Sequence, residues 1–94
     1  LLYDCFIQEL PPGGRSGKHR HVGEEVHKIL DGRGYDIHDG VKWDWEKEDV
    51  VCIPVNTVHQ HFNADPHQPA RFVAFQSRLY HYIGHGGFEH LEDA

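Results

Sequence analysis

The sequence predicts an all-β domain built as a sandwich or a small barrel. Glycines and prolines interrupt the chain about every ten residues, and the short runs between them are rich in β-branched and aromatic residues. Short strands with turn signals at such spacing are typical of sandwiches and barrels. A sustained helical stripe is absent from the pattern, and only the acidic end, Phe88 to Ala94, is a weak helix candidate.

The turn residues divide the chain into candidate strands. Asp39-Gly40 predicts a hairpin turn, because these residues accept the positive φ values of a tight turn. Ala64 to Pro69 predicts a second connection, broken at Asp65-Pro66. Such a set fits a jelly roll or small barrel, whose interior can hold one small ligand. The predicted strands are Cys5 to Leu10, Ser16 to His21, Glu25 to Leu30, Gly34 to His38, Val50 to Ile53, Val58 to Asn63 and Arg71 to Ser77.

Length and composition limit the partners. The 94 residues are expected to form one small domain, residues 1–94, for which a metal or a partner subunit would help stability. The chain starts at Leu1 and contains no methionine, so we expect it to be processed or truncated. A net charge of −6 with scattered basic residues argues against nucleic acid or an anionic membrane as partner. The longest apolar stretch, Val50 to Ile53, is too short to span a bilayer.

The two cysteines indicate a reducing compartment. Cys5 and Cys52 lie far apart in the sequence and form no CxxC motif. Free thiols and a cytoplasmic location are therefore expected, with a single disulfide as the alternative.

Four side chains have the chemistry and spacing of a metal site. His19 and His21 lie two apart on a predicted strand, so they point to the same face. Glu25 follows a bend and would point back to the same place, and His59 would come from a separate strand after the turn at 54–57. Imidazole suits iron, copper, nickel and zinc, and a carboxylate adds manganese. Four ligands leave positions open on an octahedral ion, as catalytic sites require.

These residues resemble the two sequence motifs of the cupins. The first motif is a glycine, five residues, HxH, three or four residues, glutamate, six residues and a glycine. It is matched in full by Gly13, His19, His21, Glu25 and Gly32. The resemblance covers roughly Gly13 to Gln76 and implies a jelly-roll barrel, the double-stranded β-helix.

The second cupin motif is matched at Pro54, His59 and Asn63, with departures at two glycine positions. Glu48 replaces the first glycine, which suggests a less constrained turn there, and Asn56 replaces the second. Asparagine tolerates the left-handed region well, so this change is mild. The resemblance further implies a homodimer and one divalent metal, with Fe(II) or Mn(II) favoured and Zn(II) or Ni(II) as alternatives.

Strand parity places two more histidines near this site. His27 shares the face of Glu25, and His61 shares the face of His59. Either could act as an acid or base, since imidazole titrates near neutral pH. The alternative is that one of them fills the wall or hydrogen-bonds a metal ligand. Of the other candidates, Gln76 is a predicted pocket residue, Asn63 is a predicted structural hydrogen-bonding residue, and Tyr35, Phe72 and Phe75 are predicted core residues.

Two aromatic segments have no single assignment. Trp43 and Trp45 are predicted to serve barrel packing or a subunit interface, with a cap over the pocket as the alternative. The aromatic and glycine-rich segment 80–88 could be a pocket lid, an arm on a neighbouring subunit or a poorly ordered end.

The predicted function is that of a small non-haem Fe(II) or Mn(II) dioxygenase. Its substrate would be a small phenol, enol or organic acid that chelates the metal through adjacent oxygens. Gentisate dioxygenases usually rely on three histidines alone, so Glu25 favours cupins of the oxalate, quercetin or acireductone type. A non-redox isomerase, lyase or decarboxylase is one alternative, with the metal as Lewis acid. A cupin that binds a small molecule without turnover is the other.

Overall fold

The computed structural model describes residues 3–21, 23–77 and 88–92, excepting the side chains of residues 21, 88–90 and 92. All regular secondary structure in these ranges is β. The strands are β1 (Tyr3–Leu10), β2 (Lys18–His21), β3 (Glu25–Asp31), β4 (Arg33–His38), β5 (Val41–Glu46), β6 (Val50–Ile53), β7 (Val58–Asn63), β8 (Ala70–Ser77) and β9 (Phe88–Glu92).

The strands form two sheets that enclose one interior. One sheet has the order β1-β8-β3-β6, and the other has the order β5-β4-β7-β2-β9. Neighbouring strands are antiparallel in both sheets. Alternate residues of each strand point inward, as the period of two requires. This arrangement is the predicted jelly-roll barrel.

Each of the seven predicted strands is present, and two further strands were not predicted. The expected strand from Ser16 begins at Lys18, because the amide of Ser16 bonds instead to the carbonyl of His61 across 2.9 Å. The weak helix candidate is wrong, since Phe88–Glu92 is a strand paired with β2. The other addition, β5, is an edge strand of alternating tryptophans and acids. Cross-strand pairing decides such segments against weak local preference.

Within the described ranges, three turns contain non-glycine residues with positive φ. Asp39 (φ 47°) and Gly40 (φ 83°) form the predicted hairpin turn between β4 and β5. Glu48 (φ 79°) and Asn56 (φ 56°) occupy the two positions where the second cupin motif has glycine. The expectation of a less constrained turn at Glu48 is therefore wrong: the left-handed backbone conformation is retained without the glycine.

The apolar core fills only part of the interior. It consists of Leu10, Ile29, Trp45, Ala70 and Phe72. At its edge Gly32, with φ of 95°, approaches Ala70 so closely that an added Cβ would lie 2.9 Å from that residue's Cα. A glycine is therefore required there.

The predicted core aromatics have three different environments. Phe72 is fully buried, as predicted, and Tyr35 is half-buried and stacks on Phe62 with ring centres 4.7 Å apart. Phe75 is 42% exposed on the outside of the barrel, so its core assignment is wrong. It lies three residues from Phe72, and an odd spacing puts two strand residues on opposite faces.

Two predictions about the environment can also be compared with the structure. Cys5 and Cys52 are both exposed and free, as expected. Across the described ranges, no helix is long and apolar enough to cross a membrane.

Candidate metal site

The interior beyond the apolar core is lined by buried polar side chains. Among the described residues, ten buried polar or charged residues accompany seven buried apolar ones. A buried polar group costs free energy unless it is hydrogen-bonded, so a purely structural core would avoid this composition. The polar interior therefore indicates a site. The ten buried polar or charged residues are Ser16, Glu25, His27, Asp36, His38, Thr57, His59, Gln60, His61 and Asn63.

Three of the four predicted metal ligands lie around one cavity. His19 and His59 are cross-strand neighbours on β2 and β7, with ring centres 6.2 Å apart. Glu25 comes from the opposite sheet, and its Oε2 lies 3.9 Å from Nε2 of His59. The backbone of His21 lies in β2, but its side chain falls outside the described residues. The cavity has a volume of about 200 Å³ and is lined by Phe6, Gln8, Ser16, His19, Glu25, His59, His61 and Gln76.

These donors suit a divalent first-row metal ion. Nitrogen and carboxylate oxygen ligands lie about 2.0–2.2 Å from such an ion, so two ligands of one ion can be about 4 Å apart. The separation of 3.9 Å between Glu25 and His59 is within that span. Both side chains are buried, which favours their pairing with a cation over leaving the carboxylate uncompensated.

A second set of ligand atoms lies deeper in the barrel and shares Glu25. One ligand atom each of Glu25, His27 and His61 lies within 4.8 Å of the others. His27 and His61 follow Glu25 and His59 by two residues, so they extend inward along the same faces of β3 and β7. Glu25 therefore belongs to both sets of ligand atoms.

His27 is engaged with the carboxylate of Glu25. Its Nε2 lies 2.5 Å from Oε2 of Glu25, and its ring stacks on Phe72 at 4.4 Å. Burial lowers the pKa of His27 below the ordinary value, although the hydrogen bond to Glu25 opposes this shift. The neutral ring is therefore favoured, and it holds the carboxylate in place. The sequence predicted His27 near the site, where it contacts Glu25 directly.

His61 is held by a buried carboxylate that the sequence analysis did not single out. Asp36 lies directly opposite it on β4, and Oδ1 of Asp36 is 2.7 Å from Nδ1 of His61. Trp45 donates from Nε1 to the same oxygen across 2.8 Å, and Nε2 of His38 lies 3.0 Å from Oδ2. The signal for Asp36 was its position inside a predicted strand, two residues from His38 and therefore on the same face.

The pKa of the Asp36 carboxyl lies well below its ordinary value. Burial alone would raise this pKa, but the hydrogen bonds from His38, His61 and Trp45 outweigh it. Asp36 is consequently an ionised acceptor, only 1% exposed, that receives three donors.

The remaining predicted residues have distinct roles. Gln76 lines the cavity, as expected. Asn63 is a structural hydrogen-bonding residue, because its Nδ2 donates to the carbonyls of Leu10, Pro11 and Gln68. Trp45 packs in the core, whereas Trp43 is 55% exposed. Trp43 lines a separate groove of about 590 Å³ between β5 and β6. The residues of segment 80–88 before Phe88 lie outside the described ranges, as does the Phe88 side chain.

The fold and site define a β-barrel with a candidate metal centre at its polar end. The family model of the cupin domain, Cupin_2, matches residues 6–76. The chain therefore belongs to the cupin family.

Comparison with individual proteins gives both sequence and structural relatives. The chain is 30% identical over 84 residues to auxin-binding protein 4 of Zea mays, covering 80% of this chain and 41% of that protein. It superposes on a cupin-like protein of Thermotoga maritima with a TM-score of 0.83 and 26% identity, over 98% of this chain and 66% of the other. Salicylate 1,2-dioxygenase from Pseudaminobacter salicylatoxidans gives a TM-score of 0.85 at 16% identity, over 95% of this chain and 25% of that one. This last likeness is one of fold alone, and the chain spans less than half of its maize relative.

Proposed function

We propose that this cupin is a metal-dependent dioxygenase that acts on a small oxygen-chelating compound such as a phenol, an enol or an organic acid. The observation that supports it is the meeting of His19, Glu25 and His59 at one cavity. A structural likeness to a salicylate dioxygenase adds support at the level of the fold. The cavity volume of about 200 Å³ suits a small compound, since it lies below the usual range for drug-sized ligands.

Four residues would hold the metal: His19, His21, Glu25 and His59. Bound Fe(II) or Mn(II) would supply Lewis acidity and electron transfer to dioxygen. The protein's own contribution is to orient these ligands and to limit access of water. His27 fixes the carboxylate of Glu25 from behind, as residues that hydrogen-bond metal ligands generally do.

A second candidate function is the binding of a small molecule without turnover. It is favoured by the 30% identity to a maize protein named for auxin binding. The same donors would then retain a metal-bound ligand, and no oxygen would be consumed.

The test is metal content together with oxygen uptake on a panel of phenols, enols and dicarboxylates. We expect near-stoichiometric iron or manganese and substrate-dependent uptake, both lost in His59→Ala. His67→Ala is the matched control, since His67 is exposed on the connection between β7 and β8. Bound metal with no uptake after iron reconstitution would support the binding function or a non-redox enzyme. Failure to bind any metal would contradict the site itself.

We also propose that the chain forms a homodimer through the outer face of its four-stranded sheet. The outward side chains of this face, here called the outer face, are mainly apolar, and several are more than half exposed. In this dimer the outer faces of two subunits would pack against each other. A two-fold axis between the two sheets, parallel to the strands and midway between β8 and β3, would place β8 of one subunit over β3 of the other. The apolar side chains of the outer face are Tyr3, Cys5, Ile7, Val26, Val50, Cys52, Val73 and Phe75, and its charged side chains include Glu9, Lys28 and Arg71.

Charge complementarity favours a second copy as the occupant of this face. Arg71 on β8 pairs with Asp31 on β3 within the chain, with Nη2 and Oδ2 3.0 Å apart. The same symmetry would bring Arg71 opposite the partner's Asp31, so charges of opposite sign meet at that edge. The net charge of −6 gives little attraction to nucleic acid or an anionic membrane. The two exposed thiols favour a reducing compartment such as the cytoplasm.

A further inference from the structure

Asp36 dictates where His61 carries its proton. An ionised carboxylate only accepts hydrogen bonds, so the ring nitrogen that faces it must bear a hydrogen. Nδ1 of His61 lies 2.7 Å from Oδ1 of Asp36 and is therefore the protonated nitrogen in the neutral ring. The lone pair of the neutral ring then lies on Nε2.

That lone pair is available to the cavity. Within the part of the chain that the structure describes, Nε2 of His61 makes no hydrogen bond. The side chain lines the same cavity as His19, Glu25 and His59. His27, by contrast, directs its Nε2 to Glu25. Of the two inner histidines, His61 is thus the one that can accept a hydrogen bond from a bound molecule.

We propose that Asp36 is a positioning residue that makes His61 a hydrogen-bond acceptor in the cavity, and that the site selects compounds carrying a hydroxyl group. This deepens the proposed function by narrowing its substrate class to phenols, enols and hydroxy acids, and it rests on that function only for turnover. A carboxylic acid without a hydroxyl would leave Nε2 of His61 unpaired, which costs binding free energy.

The first measurement needs no ligand and no metal. In the metal-free protein labelled with [¹⁵N]histidine, long-range ¹H–¹⁵N NMR at pH about 8.5, above the ordinary histidine pKa of about 6.5, reports the tautomer of each neutral ring. His61→Gln assigns the signal. We expect His61 to be protonated on Nδ1. Protonation on Nε2 would overturn the proposal, whatever the activity of the enzyme.

Variants test the role of Asp36. Asp36→Leu has a similar shape but offers no acceptor to Nδ1 of His61, so the ring should change to the Nε2-protonated tautomer. Trp45→Phe removes a different donor from the same carboxylate, so it should leave the His61 signal unchanged. An unaltered tautomer in a folded Asp36→Leu protein would contradict the positioning role.

Ligand preference tests the substrate class. The affinity ratio of salicylate to 2-methoxybenzoate, which has no hydroxyl group, should fall about tenfold in Asp36→Leu relative to wild type, as expected for one lost hydrogen bond. It should stay constant in Trp45→Phe. The metal content of Asp36→Leu and of His61→Gln should equal that of wild type. Loss of metal in both variants would indicate that His61 is a metal ligand and would overturn its acceptor role. If His61 is protonated on Nδ1 and the site prefers hydroxyl compounds, but no oxygen is consumed, the result would contradict the proposed dioxygenase activity and leave the roles of Asp36 and His61 supported.

Discussion

Nε2 of His27 lies 2.5 Å from Oε2 of Glu25, and both side chains are almost entirely buried. The carboxylate that the cupin motif assigns to the metal is thus held by the residue two positions further along the same strand. Burial lowers the pKa of His27, so the ring stays neutral and can hold Glu25 without competing with a cation for its charge.

The buried state of His27 predicts an acid-sensitive stability in the metal-free protein. Because its folded pKa is lowered, the unfolded chain takes up the proton first. The contribution of neutral His27 to the free energy of unfolding is therefore complete above the pKa of the unfolded chain, about 6.5, and is lost as the pH falls below that value. The urea midpoint should therefore drop between pH about 7 and pH about 5, with a smaller drop in His27→Gln. His67→Gln, at an exposed site, should keep the wild-type slope, and an equally steep slope in His27→Gln would contradict the prediction.

The left-handed turn at Glu48 predicts a stabilising substitution. A non-glycine residue with left-handed backbone conformation destabilises the fold by about 1–2 kcal/mol. Replacing it with glycine removes this strain, but glycine loses more backbone entropy on folding, which offsets about 0.5–1 kcal/mol of the gain. The ion pair of Glu48 with Lys28 is exposed and contributes little, while the bond from Lys28 Nζ to the Glu48 carbonyl survives. Glu48→Gly should therefore raise the free energy of unfolding by about 0.5–1 kcal/mol.

A matched control separates this effect from a general response to glycine. Glu46 lies two residues earlier, exposed and in extended strand conformation. Glu46→Gly should lower the free energy of unfolding by about 0.5–1 kcal/mol. Changes of the same sign in both variants, measured by urea unfolding, would contradict the assignment of strain to Glu48.

Local patterns were enough to predict much of the fold and part of the site. Period-two runs and turn residues gave seven strands and the hairpin at Asp39-Gly40, because each signal lies within a few residues. The motif spacing likewise predicted that His19 and Glu25 lie close together, and both side chains line one cavity. The contact between Asp36 and His61 could not be predicted, since it depends on the register of two strands far apart in the sequence.

The alternation of side chains along a strand does not by itself predict which of them are buried, as two tryptophans show. Trp43 and Trp45 have the same parity, yet only Trp45 is buried, where it meets Phe72 edge-on with ring centres 6.4 Å apart. Trp43 lies closer to the hairpin, at the open groove beside β6. Burial along an edge strand depends on how far the facing sheet extends, which period and composition do not encode.

The hydrogen bonds of Asn63 predict that aspartate at this position destabilises the protein more than alanine does. Its Nδ2 donates to three carbonyl oxygens, and its Oδ1 accepts from the amide of Asp65 across 2.9 Å. Asn63→Ala removes these bonds and should cost about 1–3 kcal/mol in the free energy of unfolding. Asn63→Asp keeps the shape but places a carboxylate against the three carbonyls, so it should cost more than alanine. Thermal unfolding of both variants gives the ranking, and a milder effect of aspartate would contradict it.

The proposed dimer makes a prediction about its two cysteines. Cys5 and Cys52 lie in one row across the sheet, since Cys5 pairs with Phe75, Phe75 with Val26 and Val26 with Cys52. Three strand spacings, about 14 Å, separate the two thiols within one chain, which is too far for a disulfide. A two-fold axis between β8 and β3 would instead place Cys5 opposite the partner's Cys52. Packed sheets lie about 10 Å apart, so opposed thiols would be within reach of a short bismaleimide.

Complementation between two variants distinguishes this arrangement from other pairings. Wild type should give a covalent dimer with the bismaleimide, whereas Cys5→Ser alone and Cys52→Ser alone should not, because each remaining thiol would face a serine. A mixture of the two variants should restore the cross-link, since its heterodimer contains one opposed pair of thiols. A cross-link in either single variant would require a different interface. A monomer in light scattering, with Phe75→Asp unchanged from wild type, would contradict pairing through the outer face altogether.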